Sequence, residues 1–374
     1  MRLSILCALA LLAPPAAAAA QTFQSSAGEP TVETVARGLD HPWALAFLPD
    51  GNMLVTERPG RMRIVARDGK LSAPLGGVPK VFASSQGGLL DVILDRGFAD
   101  NRTLYFTYAE PMRGGAHTAL ARARLEAEGQ PRLADVAVIF RQAGPLSSGN
   151  HFGSRIAQAP DGSLFVTLGE HATTRDEAQN LSNDLGKIVH LAPDGTVPKD
   201  NPFVGRAGVR AEIWSYGHRN PQGLAFRPGT SDLWEHEHGP RGGDEVNIIK
   251  KGANYGWPVI GYGIDYSGAK IHDSTHKTGM EQPVKYWVPS IAPSGMAFYE
   301  GALFPAWRGN LFVGALAGAM LVRLTLDGDK IVDEERLLRP LRERIRDVRN
   351  GPDGALYLLT DSSAGRVLRL APGR

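Results

Sequence analysis

His151 lies between two glycines, Gly149 and Gly153, and Glu170 follows it nineteen residues later. Imidazole titrates near neutral pH, the glycines let a substrate approach, and a carboxylate behind the ring raises its basicity, so the pair is a candidate general base with its orienting acid. A second group offers charge: Arg219, Arg344 and Arg346, with the amides Gln86 and Asn220. Guanidinium forks bind carboxylates bidentately, so three of them converging imply a small ligand with several carboxylate or carbonyl oxygens. The densest run of potential metal ligands is Glu235-His-Glu-His-Gly-Pro-Arg-Gly-Gly-Asp-Glu. Two chemistries fit it. His236 and His238 point the same way on a strand and would begin a transition-metal site that needs a third ligand from elsewhere. Alternatively, the loop's backbone carbonyls, with Glu245 nearby, suit a hard cation such as Ca²⁺.

Gln86 and Arg346 are 260 positions apart, so the fold must gather these groups. Six times the chain repeats one phrase, a polar loop leading into a short apolar strand, a turn and alternating apolar residues. The copies run from His41 to Val65, Gln86 to Leu125, His151 to Leu191, Asn220 to Ile249, Pro293 to Leu324 and Arg344 to Leu370. Period-two alternation marks strands, and Asp50-Gly, Asp161-Gly and Asp353-Gly mark hairpin turns. One such sheet cannot bury both faces alone, so the expected fold is all-β, a six-bladed β-propeller of four-stranded antiparallel sheets. Aligning the phrases puts His41, Gln86, His151, Arg219 with Asn220, Ser294, and Arg344 with Arg346 where innermost strands begin. Those beginnings encircle one mouth of a propeller's channel, which makes a single pocket. Function is expected in the long connectors Glu170 to Lys187, Glu235 to Asp244 and Gly252 to Trp287.

The composition of the 374 residues, 43% hydrophobic and 21% charged with 44 Gly and 26 Pro, excludes a disordered chain and suits a turn-rich β protein. Residues 1–20 read as a cleaved signal peptide, giving a periplasmic or secreted protein; residues 21–30 read as a flexible lead-in and 31–374 as the propeller domain. The only cysteine, Cys7, falls in the signal, so the mature chain has no disulfide or thiol chemistry. Without the signal there are 40 basic and 39 acidic side chains, and a net charge of +1 gives no general attraction to nucleic acid. No other stretch is long and apolar enough for a membrane span.

Longer motifs then become specific: Ser215-Tyr-Gly-His-Arg-Asn-Pro-Gln-Gly-Leu-Ala-Phe, Glu237-His-Gly-Pro, Asp244-Glu and Asn254-Tyr-Gly-Trp-Pro, with Gln86-Gly-Gly-Leu-Leu-Asp, Tyr266-Ser-Gly and Arg344-Ile-Arg-Asp-Val in support. From about Gly38 to Leu370 the chain resembles the soluble pyrroloquinoline-quinone (PQQ) dependent glucose and aldose sugar dehydrogenases, most closely the periplasmic aldose sugar dehydrogenase branch. The resemblance implies oxidation of aldose sugars at C1 to the lactone, with hydride transfer to PQQ. His151 would be the base, with Glu170 and Arg219 as further catalytic residues. Gln86, Arg219, Asn220, Tyr266, Ala315, Leu316, Ala317, Arg344, Ile345 and Arg346 would surround the cofactor. It also implies two Ca²⁺ ions, one on the Gly239 and Pro240 carbonyls bridging to PQQ, and a structural one on Glu245 and the Tyr255 carbonyl. One departure is Ala317, where many relatives carry a cofactor-binding lysine. The shorter connector between Glu170 and Gly186 argues for an open pocket and broad sugar acceptance.

A calcium-dependent lactone hydrolase is the rival enzyme on this fold, and a non-enzymatic binding propeller is the rival of another class. The arginines separate the first, since such hydrolases hold metal with inward carboxylates. The expected partners are aldoses and a separate electron acceptor, because no Cys-x-x-Cys-His haem motif is present. The protein is expected to be a monomer or weak dimer.

Overall fold

The computed structural model describes residues 20–144 and 148–373. Apart from Ala20, the expected signal peptide lies outside them. Six antiparallel sheets form the six blades of a propeller. Blade I comprises Pro42–Phe47, Met53–Glu57 and Arg61–Val65. Blade II comprises Leu89–Leu94, Thr103–Met112, Gly115–Glu126 and Arg132–Arg141. Blade III comprises Ile156–Gln158, Leu164–Leu168, Lys187–Leu191 and Ile213–Tyr216. Blade IV comprises Pro221–Phe226, Leu233–Glu237, Asp244–Ile249 and Lys285–Trp287. Blade V comprises Pro293–Phe298, Leu311–Ala315, Met320–Asp327 and Lys330–Leu337. Blade VI comprises Ile345–Asn350, Leu356–Thr360 and Gly365–Pro372, and is completed by Pro30–Leu39 and Gln21–Thr22.

Two blades depart from four strands. Blade I has three, because the chain after Val65 runs through Pro74 and Pro79, which lack the N–H a ladder needs, and it returns only the Leu71–Val65 bridge and the N–H bonds of Ser72 to Ile64 and Leu75 to Met62. Blade VI has five, because Pro30–Leu39 pairs with Gly365–Pro372 from Pro30 opposite Pro372 to Leu39 opposite Gly365, closing the ring. The segment expected as a flexible lead-in is instead tied down. Gln21 and Thr22 pair with Val32 and Thr31, and Phe23 is buried between blades V and VI.

Each gap between neighbouring blades holds its own apolar core, six in all among the described residues. Alternation explains this: odd positions of a strand face one neighbouring blade and even positions the other, so both faces of every sheet are covered. The innermost strands meet in a ring around the channel. A charge tetrad plugs that channel: Arg155 lies 3.2 Å from Asp91 and 3.0 Å from Asp347, and Arg349 lies 2.8 Å from each. Arg155 also stacks over Trp43. The mouth above is therefore a closed cup.

Candidate active site

The cup has a volume of about 410 Å³. Its shape comes from a defect repeated in the ladders. The innermost strands of blades I, II, IV, V and VI each shift register within their first residues, between Pro42 and Ala44, Leu89 and Val92, Pro221 and Gly223, Pro293 and Met296, and Ile345 and Asp347. A bulge re-aims the extra side chain. Trp43, Leu90, Gln222 and Arg346 sit in such bulges and all line the cup.

His151 and Glu170 meet beside the cup but outside its lining, which takes in the neighbours of His151, namely Asn150, Phe152 and Gly153. His151 Nδ1 is 3.1 Å from Glu170 Oε1, with both residues buried. A carboxylate accepts, so Nδ1 carries the proton and the Nε2 lone pair is free. Burial lowers the His151 pKa from its ordinary value, the Glu170 hydrogen bond opposes this, and the Arg219 charge adds to the lowering; the net shift is downward. At neutral pH the ring is therefore an uncharged base. His151 adopts φ 52°, a left-handed conformation unusual for a side-chain-bearing residue, and its N–H donates to Gln86 Oε1 at 2.8 Å. Gly169 allows the close approach of the two segments, because a Cβ there would overlap the His151 carbonyl. Glu170 is fixed through its N–H to the Arg219 carbonyl at 3.0 Å and its carbonyl from Thr174 Oγ1 at 2.6 Å. The loop beyond it closes on buried Lys187, whose Nζ donates to the carbonyls of Glu177, Ala178 and Leu185.

The cup itself carries the cations. Arg58, Arg344 and Arg346 line the cup against one carboxylate, Asp361, which accepts from Arg344 at 3.0 Å and Arg346 at 3.3 Å. The Nε atoms of Arg58, Arg219 and Arg346 are buried without a hydrogen-bond partner. Burial, and then the neighbouring Arg155, Arg344 and Arg58, depress the Arg346 pKa against the pull of Asp361. Orphaned donors and crowded like charges fit an anionic ligand. Asn220 and Gln86 line the same cup: Asn220 Oδ1 accepts from Gly153 N–H at 3.1 Å, and Gln222 joins Arg346 at 3.2 Å.

The four expected metal-binding residues fall around one smaller cavity of about 20 Å³ that Gly239, Pro240, Glu245 and Tyr255 share with Arg219 and Glu237. That is room for about one ion or water. Asp244 holds its rim, accepting from the N–H groups of Gly239, Ile291 and Ala292 at 2.7–2.8 Å and from Ser290 Oγ at 2.9 Å. Burial, and then Glu237, raise the Glu245 pKa well above the usual carboxylate range. The cavity's carboxylate and carbonyl oxygens suit a hard cation, while Arg219, His238 and His272 line the same space. The Gly239 carbonyl already accepts from Arg219 at 2.9 Å. His236 and His238 gain no third ligand among the described residues. Both His236 nitrogens lack partners, and His238 Nε2 donates to the Pro293 carbonyl at 2.6 Å.

Other expected site residues lie elsewhere. Tyr266 is 71% exposed and outside the cup lining. Leu316 lines the cup, Ala317 is exposed, and Ala315 and Ile345 are buried backbone supports, the Ile345 carbonyl accepting from Ser294 Oγ at 2.6 Å. His41 pairs with Asp40 outside the lining. Among the residues missed from sequence are Arg58 and Asp361, and the sequence offers His238 only as a metal ligand; each lies directly after the second strand of its blade. That strand ends at the same mouth where the antiparallel first strand begins, so aligning the ends of the second strands is the signal that would have found them.

Fold and site together define a six-bladed propeller with a buried imidazole–carboxylate pair beside an arginine-lined throat. The chain belongs to the family described as Glucose / Sorbosone dehydrogenase, which matches residues 39–369. It is 50% identical to aldose sugar dehydrogenase YliI of Escherichia coli (strain K12), over 91% of this chain and 92% of that one. The crystal structure of the soluble aldose sugar dehydrogenase from Escherichia coli in the apo-form superposes with a TM-score of 0.89 at 49% identity, covering 92% of this chain and 100% of the other. The PQQ-bound form of an aldose sugar dehydrogenase from Streptomyces coelicolor gives 0.76 at 30% identity, covering 91% and 98%.

Proposed function

We propose that the protein is a PQQ-dependent sugar dehydrogenase that oxidises aldoses at C1 to the lactone. The observation that carries this is a neutral, carboxylate-backed imidazole whose chain neighbours Asn150, Phe152 and Gly153 line a cup in which guanidinium groups outnumber the carboxylate. Bound in that cup, PQQ would supply an ortho-quinone able to accept a hydride. Arg344, Arg346 and Arg58 would hold its carboxylates, with Gln86 and Asn220 on its remaining oxygens; Arg58 supplies a cation in a cup where position 317 has none. His151 Nε2 takes the proton of the sugar's anomeric hydroxyl, while Glu170 steadies the imidazolium through Nδ1–H. Arg219 faces the negative charge that develops on oxygen. Ca²⁺ would be held by the Gly239 and Pro240 carbonyls or by Glu245 with the Tyr255 carbonyl, and the single cavity these four residues share has room for about one of the two expected ions.

Among the described residues no helix is long and apolar enough to cross a membrane. With the expected signal peptide, this supports a periplasmic or secreted enzyme passing electrons to a separate acceptor. The test adds PQQ and Ca²⁺ to the purified protein and follows dye reduction with hexoses, pentoses and disaccharides. Turnover of aldoses, abolished in His151→Ala while PQQ still binds, is the expected result. Aldose-independent dye reduction, or failure of wild type to bind PQQ, would refute the reading.

A further inference from the structure

One rung of blade IV away from Glu245, ligand-type side chains meet that the chemistry above does not use. Glu235 pairs across the strands with Asn247, as Glu237 does with Glu245, and His218 reaches the same place from the loop before the innermost strand. The ligand atoms of His218, Glu235 and Glu237 lie within 4.8 Å of one another, and all three residues are buried. His218 Nδ1 is 3.1 Å from Glu237 Oε1. Two ligands on a tetrahedron with zinc bonds of about 2.05 Å are separated by a similar distance, about 3.3 Å.

A separate observation concerns Asn247, which is 1% exposed and does not belong to that trio. Its Nδ2 donates to Glu235 Oε2 at 3.1 Å, so the amide faces the cluster, yet its Oδ1 has no hydrogen-bond partner. Glu235 Oε1 has none either. A proton on Glu235 does not resolve this, because an O–H on Oε1 finds no acceptor and Asn247 Oδ1 still lacks a donor.

We infer that His218, Glu235, Glu237 and Asn247 form a structural site for one divalent cation of the zinc class, adjoining the cavity at Glu245. Glu237 stands between the two, lining that cavity as well, whereas His218, Glu235 and Asn247 do not line it. One imidazole nitrogen among carboxylates favours a borderline metal over Ca²⁺. When Nδ1 turns to the cation its proton moves to Nε2, which donates to Ser215 Oγ, 2.9 Å away, and so orients the ring. The two carboxylates balance the cation's charge. Burial, and then the neighbouring Glu237, push the Glu235 pKa upward, a tendency that a cation between the two carboxylates opposes. The site ties the loop carrying Arg219 to blade IV, since Glu237 also accepts the Arg219 N–H.

Because the cluster is buried, the cation enters as the chain folds. The test expresses tag-free, full-length protein in medium supplemented with Zn²⁺ or Co²⁺, then measures metal content after gel filtration. One bound Zn²⁺ or Co²⁺ per chain is expected, with tetrahedral visible bands for Co²⁺. Glu235→Gln and His218→Gln should lower occupancy about tenfold or more, while Glu245→Gln retains it. X-ray absorption on wild-type Zn²⁺ protein, independent of how the variants fold, should show an imidazole nitrogen in the metal's coordination shell. Wild type without transition metal, an all-oxygen shell, or full occupancy in folded Glu235→Gln would overturn the site.

Discussion

The two mouths of the channel are built from opposite ends of the same six strands and have opposite characters. At the cup end the strands begin with side chains that bond and charge. At the far end four of them finish in Leu45, Phe47, Leu94, Leu224, Phe226 and Phe298, around a cavity of about 430 Å³ whose polar lining is Glu300, Arg349 and Asn350. The backbones differ too. Turns at the far end take positive φ on glycine, as at Gly162 and Gly354. The approaches to the cup place His41, Ser85, His151, Ala292 and Arg342 in left-handed conformations. Such a conformation costs a non-glycine residue about 1 kcal/mol or more. Strain on side-chain-bearing residues is thus concentrated at the cup mouth, with Arg102 at φ 54° an exception at the far end.

The sharpest way to break this contrast is to compare one substitution at each mouth. His151→Ala should lower kcat by about 10²–10⁴ without moving the melting temperature much, whereas Phe298→Ala, buried at the far mouth, should cost about 3–5 kcal/mol of stability with kcat intact. Steady-state kinetics beside thermal melts decide it, and equal kinetic losses would erase the distinction. Next in size, Arg346→Gln removes a buried charge-assisted donor and should weaken PQQ binding about 10–150-fold, read by titration of cofactor fluorescence. A smaller effect concerns pH. Because the His151 pKa is lowered, the acid limb of kcat/KM should fall below 6.5. Glu170→Gln deletes the group that raises it, so the limb should move lower still as the rate drops; an upward shift would contradict the dyad. Smallest, Gly309→Ala faces open space at φ 78° and should lose about 1 kcal/mol, while Ala292→Gly relieves φ 52° and should gain up to about 1 kcal/mol. Denaturant melts of the two variants would sharpen the contrast.

The propeller was legible because repetition multiplies weak signals: one Asp-Gly hairpin means little, and six ordered phrases fix the ring. The positions of Gln86, Asn220 and Arg346 followed from aligning them. The bulges were not legible, since an extra residue shifts the alternation by one place in a strand of six, and so Trp43 and Gln222 gave no sign that they face the cup. Arg58 and Asp361 were hidden because attention went to where strands begin rather than where their partners end. Blade composition failed where the chain ends join, since no local pattern tells Pro30–Leu39 that its neighbour lies more than three hundred residues away. Tyr266 was assigned by motif, and motif does not encode how its loop is turned.

The seam between Pro30–Leu39 and Gly365–Pro372 has a bearing on biogenesis. Trp43 of the first blade and Asp361 of the last stand across one small volume, so no partial set of blades reproduces it. A nascent polypeptide still lacking its final strand has nowhere to seat a ligand, and a mature molecule whose seam unzips loses its ligand in the same event.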